Sequence, residues 1–149
     1  MSTDFEGRVG GPEEPPAEGS PEELVARWID AWNWREVDVL LELADPGIVL
    51  QPLRLRGLNE AYHGHEGVRA WMETIRSEDH DHRLSPQSLK ALDSRRILAV
   101  GTVRIGPDVT SPFSGLYEHR DGRIAFMSHY FTPPSVLESI GVLEPGAAG

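Results

Sequence analysis

Histidines, tryptophans and a few amide and carboxylate side chains are the residues of this sequence whose types suit chemistry. His129 falls inside an apolar segment, where a ring that titrates near neutral pH can give or take a proton if it faces a pocket and a neighbour fixes its tautomer. The bland alternative is a hydrogen-bonded core histidine or one at a subunit contact. His63-x-His65 with Glu66, and His80-Asp81-His82 with Asp79, carry the side-chain types of metal ligands. Adjacent polar loop residues commonly just face water, and no complete ligand set is visible, so neither a metal nor a cofactor is expected. Trp28, Trp32 and Trp71 can stack on a flat ligand, although aromatic residues at helical spacing are first of all core. Tyr117 and Tyr130 divide in the same way, since a buried phenol needs a partner that is ligand, protein or water. Arg104 lies either deep in its strand or near an exposed end, and both positions stay open.

The elements that must position these groups are bounded by composition. A chain of 149 residues, 39% hydrophobic, is long enough to bury one full core and too short for two comfortable ones. No run approaches the roughly 18 apolar residues that a membrane-spanning helix needs, and the first residues have neither a basic start nor an apolar signal core, so a cytoplasmic protein with no membrane partner is expected. The absence of cysteine excludes disulfides, thiolate nucleophiles and sulfur-based zinc sites. A formal charge of −10 argues against a nucleic-acid partner, which would require clustered Lys and Arg. Part of that charge belongs to residues 1–20, an acidic Gly/Pro-rich stretch with too little apolar surface to offset its ordering entropy, read as a disordered tail.

Order begins at Ser20-Pro21-Glu22-Glu23, a capping box with proline at the first helical position. Leu24, Val25, Trp28, Ile29 and Trp32 then draw one apolar stripe. A second short helix buries Val37, Leu40, Leu41 and Ala44 and is expected to end at Asp45-Pro46-Gly47. Residues 48–53 read as a strand, 54–64 as loop, and 66–76 as a third helix through Val68, Trp71, Met72 and Ile75. Four extended segments follow at 84–92, 96–105, 113–119 and 124–131, the last two joined by the Asp121-Gly122 hairpin signal. Val136, Leu137 and Ile140 suit one turn of helix, and 144–149 is expected to fray. Helices first and a consecutive meander last give an α+β layout, with three helices packed in a curved, mostly antiparallel sheet. The last strand is apolar on both parities, with Ile124, Phe126 and Tyr130 on one side and Ala125, Met127 and Phe131 on the other. Both faces of the sheet are therefore expected to be covered, one of them by a second subunit.

Several stretches resemble the SnoaL-like branch of the nuclear transport factor 2-like superfamily, which includes polyketide cyclases, ketosteroid isomerases and limonene epoxide hydrolases. They are residues 25–33 in the first helix, Ala44-Asp45-Pro46-Gly47-Ile48-Val49, Tyr62-His63-Gly64-His65-Glu66-Gly67-Val68, Asp121-Gly122-Arg123-Ile124 through His129-Tyr130-Phe131, and residues 137–142. The resemblance spans residues 21–143 and implies a single domain there. The implied fold is a cystatin-like, cone-shaped barrel with a deep apolar pocket, usually a homodimer.

The resemblance also implies where chemistry would sit. At the positions matching ketosteroid isomerase residues the chain carries Trp28, Gln51-Pro52 and Gly115. An amide is no general base at ordinary pH and glycine has no side-chain donor, so that proton shuttle is absent. Limonene epoxide hydrolase is similar near Gln51 and His129, but its acid-arginine-acid arrangement is not reproduced in Val100-Gly101-Thr102-Val103-Arg104. SnoaL-type cyclases use one acid-base residue near the position of His129. The expectation is a pocket for a small, largely apolar, polyketide- or terpenoid-like molecule, with Trp28, Trp32, Trp71, Met127 and Phe131 lining it. His129 would act as acid-base and Gln51 would orient a carbonyl or a water, in an isomerase, cyclase or hydrolase. The alternative is a non-catalytic binding or dimeric interaction module.

Overall fold

The computed structural model describes residues 16–54, 61–77, 82–105, 107–139 and 141. Residues 1–15 of the tail expected over 1–20, and the expected frayed end at 144–149, lie outside them. Helix α1 spans Pro21–Asn33 and α2 Val37–Leu43; β1 (Ala44–Arg54) and a two-residue β2 (Tyr62–His63) precede α3 (Gly64–Ser77). Strands β3 (His82–Ala91), β4 (Arg96–Ile105), β5 (Thr110–Arg120) and β6 (Arg123–Tyr130) form the meander, and α4 covers Pro134–Ser139. All six strands join one sheet in the order β2-β1-β6-β5-β4-β3, antiparallel except where β1 pairs with β6 in parallel. No helix among the described residues is long and apolar enough to cross a membrane.

The local signals operate as expected in most places. Ser20 Oγ accepts the Glu23 N–H at 3.1 Å, while the Glu23 carboxylate accepts the Gly19 N–H at 2.8 Å. The capping box therefore closes one residue further out than its usual form. Asp121 and Gly122 both have positive φ, 53° and 77°, the pair of values that a tight hairpin of twisted strands requires. At α2 the expectation fails: the helix stops at Leu43, and Ala44 is already extended and opens β1. The register of β1 against β6 then slips between Ala44 and Val49, across the segment in which Pro46 offers no N–H to the ladder.

Helices α1, α2 and α3 pack on one face of the sheet, around a core that includes Trp28, Trp32, Leu40, Leu50, Phe113 and Met127, each without exposed surface. Asn33 fastens α1 to the edge strand. Its side-chain amide donates to the Leu84 carbonyl and its oxygen accepts the Leu84 N–H, both at 2.8 Å, so a buried polar side chain completes the exposed rung of β3.

The last strand departs from simple alternation. Glu118 pairs with Phe126 but His119 with Ile124, which leaves Ala125 as the extra residue of a bulge. Ile124 consequently joins Met127 in the core, and Phe126, Ser128 and Tyr130 form the outer row. That outer row is covered in part by the chain itself: Leu137 of α4 is fully buried against Leu116 and Tyr130. Apolar residues on both parities of β6 thus have an explanation within one subunit.

Candidate functional site

Strand alternation aims His129 into the cone. It stands two residues after Met127 on the inner row of β6 and has no exposed surface. Three rings meet it edge to face: Trp32 from α1 and Phe113 from β5, each with centroids 5.0 Å away, and Tyr117 from β5 at 5.6 Å. The Tyr117 hydroxyl lies 2.7 Å from His129 Nε2. Burial pushes the Tyr117 phenol well above its ordinary pKa of 10.0, so it stays protonated. A neutral phenol both donates and accepts, so it can hold Nε2 in either protonation state of that nitrogen.

Gly115 makes this contact possible. It is the Cα partner of His129, and a Cβ built on it would lie 2.8 Å from Tyr117 Cε1, 2.9 Å from Phe113 Cζ and 3.0 Å from the Tyr117 hydroxyl. The Tyr117 ring therefore folds back over the glycine of its own strand to reach the histidine across the ladder.

Helical spacing supplies the other wall. Trp28 and Trp32, four residues apart, share one face of α1 with centroids 6.1 Å apart. Trp32 meets Trp71 of α3 at 6.3 Å, and Trp71 meets Tyr62 at 5.5 Å. The indole N–H groups of Trp28, Trp32 and Trp71 are buried with no hydrogen-bond acceptor among the described residues. Buried indole donors usually find a partner, and leaving one unmade costs about 1–3 kcal/mol. Three on successive rings are thus a concentrated polar deficit beside the His129–Tyr117 pair.

Most of the residues expected from sequence come together here. Trp28, Trp32, Trp71, Met127 and His129 all belong to the inner face, and Phe131, just past the end of β6, packs half-buried against the same core. Trp28, Trp32, Met127 and His129 are each 0% exposed, so none of them touches a water-sized space. Gln51 is not among them. Leu50 pairs with Met127 on the inner row, so the next residue turns outward, and Gln51 stands half-buried beside Ser128 on the opposite face. It cannot orient a group held by His129. His65 Nε2 lies 3.1 Å from the Ala44 carbonyl and braces α3 against β1. Among the described residues no three His, Asp or Glu side chains are placed to hold a metal ion; Asp79, His80 and Asp81 lie outside them. Tyr117 is the partner that His129 needed. Its period-two spacing with Phe113 and Gly115 was the available signal, and the bulge hides the pairing from a simple count across the hairpin.

The model of the SnoaL-like domain matches residues 25–127 of the sequence. The chain belongs to the SnoaL-like domain family. Solved structures agree on the fold. An NTF2-like protein of unknown function from Burkholderia pseudomallei is 22% identical, with a TM-score of 0.63, covering 78% of this chain and 93% of that one. TerC, co-crystallised with polyporic acid, is 19% identical with a TM-score of 0.65, covering 84% and 99%. A protein with a ketosteroid isomerase-like fold from Catenulispora acidiphila, in complex with trimethylamine, is 16% identical with a TM-score of 0.62, covering 82% and 94%. At such identities the likeness establishes the nuclear transport factor 2-like fold alone. None of the curated proteins matches the sequence.

Proposed function

We propose that this SnoaL-like cone takes up a small, largely apolar molecule carrying hydrogen-bond-accepting oxygen, and that His129 moves a proton on it. The observation that carries the reading is the set of three acceptor-less indole N–H groups on successive rings, one of which packs against His129. An oxygen of the ligand would relieve that deficit, and the surrounding aromatic rings suit an apolar body. TerC, of the same fold, was crystallised with such an oxygen-bearing molecule, polyporic acid. With Nε2 engaged by Tyr117, proton transfer falls to Nδ1. In one direction Nδ1 takes a proton from carbon beside a carbonyl, and the electron pair of the broken C–H bond moves onto an enolate oxygen held by indole N–H donors. The protonated ring then returns a proton to carbon, giving isomerisation, or solvent exchange at the same atom.

Deuterium exchange at the acidic carbon of α-tetralone, followed by proton NMR, tests this without knowledge of the natural substrate. Wild-type protein should accelerate exchange, Tyr117→Phe should retain only part of it, and His129→Ala should abolish it with an unchanged far-UV spectrum. Equal exchange in wild type and His129→Ala would sink the proposal. The complete burial of Trp28, Trp32, Met127 and His129 favours a second reading, a filled cone that binds or associates without turnover. Saturable α-tetralone binding without exchange, or no binding at all, would decide for it. The expected homodimer belongs to the proposal too, with the outer sheet face, where Leu137 packs on Leu116 and Tyr130, as its contact surface.

A further inference from the structure

Gly67 and Trp71 lie one turn apart on the same face of α3, and both meet Tyr62. At Gly67 the contact is with the backbone: a Cβ built there would lie 2.7 Å from the Tyr62 carbonyl carbon and 3.2 Å from its Cα. Only glycine lets the helix come so close. Within the sheet, Tyr62 pairs with Leu50 of β1. The Tyr62 backbone is therefore held by both helix and sheet, while its ring leans on Trp71 with centroids 5.5 Å apart and planes inclined at 59°.

Exposure rises along the series of rings that runs from His129 through Trp32 and Trp71 to Tyr62. Trp32 is 0% exposed, Trp71 is 5% exposed and Tyr62 is half-buried. A ring with one side in water changes rotamer readily, whereas swinging Trp28 or Trp32 aside would open a large void in a packed core. Tyr62 is thus the ring of this series that can leave its place with the backbone unmoved. Its departure uncovers Trp71, whose buried indole N–H is one of the donors assigned above to a ligand oxygen and whose ring packs against Trp32.

We propose that Tyr62 controls entry to the cone: a ligand passes where this ring rests on Trp71, and the swing of the ring sets the rate of passage. The inference rests on the cone being a ligand site, so the first measurement uses no ligand. It is hydrogen exchange of the indole N–H groups in the free protein, followed by NMR. Tyr62→Ala should accelerate exchange at Trp71 roughly 10-fold, because the aromatic pairing that each opening must break is gone, while Trp28 and Trp32 keep their wild-type rates. Tyr62→Phe retains the ring and should match wild type. Unchanged exchange at Trp71, or equal acceleration at all three indoles as a general loss of stability would give, would overturn the proposal. Stopped-flow mixing with α-tetralone, read by tryptophan fluorescence, then tests passage itself. Tyr62→Ala should raise the association and dissociation rates together, and wild-type rates in that variant would overturn the route. If α-tetralone binds neither protein, the reading of the cone as a ligand site fails, while fast exchange confined to Trp71 still assigns Tyr62 as the movable cover of the cone.

Discussion

Gly115→Ala isolates the geometry that joins Tyr117 to His129. On an ordinary strand the change should stabilise by about 0.4–1 kcal/mol, because alanine has fewer unfolded conformations to lose. Here the backbone is not in the left-handed region, so that gain applies, but the new Cβ meets Tyr117 Cε1 at 2.8 Å and Phe113 Cζ at 2.9 Å. Carbon atoms rest at about 3.5–4.0 Å, so both rings must withdraw by most of an ångström. Both are 0% exposed, so they can withdraw only by displacing other core side chains or into gaps smaller than a water. Overpacking of this kind costs about 1–3 kcal/mol, and loss of the Tyr117–His129 hydrogen bond adds about 1 kcal/mol. The net expectation is destabilisation by about 1–3 kcal/mol, a fall in Tm of roughly 3–10 °C by calorimetry. The nitrogen-15 signals of the His129 ring should move at the same time. A variant as stable as wild type with unmoved His129 signals would refute the argument that the glycine makes room for the pair.

Asn33→Ala leaves the buried Leu84 N–H and carbonyl without partners and should lower stability by about 2–4 kcal/mol in urea unfolding; amide exchange at Leu84 should accelerate in parallel. The Asp93 carboxylate is held below its ordinary pKa of 3.8, first by the Arg95 backbone N–H and then by the Arg96 side chain. Its contribution is therefore present above the unfolded-state value and lost as pH falls through the lower folded one. The Tm difference between wild type and Asp93→Asn should be constant above about pH 5 and shrink as pH drops below about 4; a difference that grows on acidification would contradict this. Light scattering with size-exclusion chromatography should return twice the subunit mass if two copies associate through the outer face, and a monomer at tens of micromolar would remove the dimer from the account.

Much of the fold was legible because its signals are local. The Ser20–Glu23 cap, the Trp28–Trp32 spacing and the Asp121-Gly122 turn each act within a few residues, and each forms nearly as expected. The misreadings arose where the decisive term is non-local. A bulge at Ala125 shifts the phase of β6, so strict alternation sends Ile124 to the wrong face, beside Phe126 and Tyr130. Gln51 was placed beside His129 by resemblance, but the parallel register of β1 on β6 sets it against Ser128 instead. The covering of Tyr130 by Leu137 depends on where α4 folds back, which no periodicity within β6 reports. The helical spacing of Trp28 and Trp32 was legible and both lie on the inner face with Trp71; their missing acceptors emerge only once the rings are packed.

The four tryptophans give the central claim a direct observable, since a nitrogen-15 spectrum of the protein carries four indole N–H peaks. Trp34 is 43% exposed and serves as an internal reference for the three buried, acceptor-less indoles. Titration with α-tetralone, with tetralin as its oxygen-free counterpart, measures whether a ligand oxygen reaches them. The account predicts downfield movement of peaks from Trp28, Trp32 or Trp71 with α-tetralone and not with tetralin, while Trp34 stays in place. Immobile buried indoles, or identical shifts with both compounds, would contradict it.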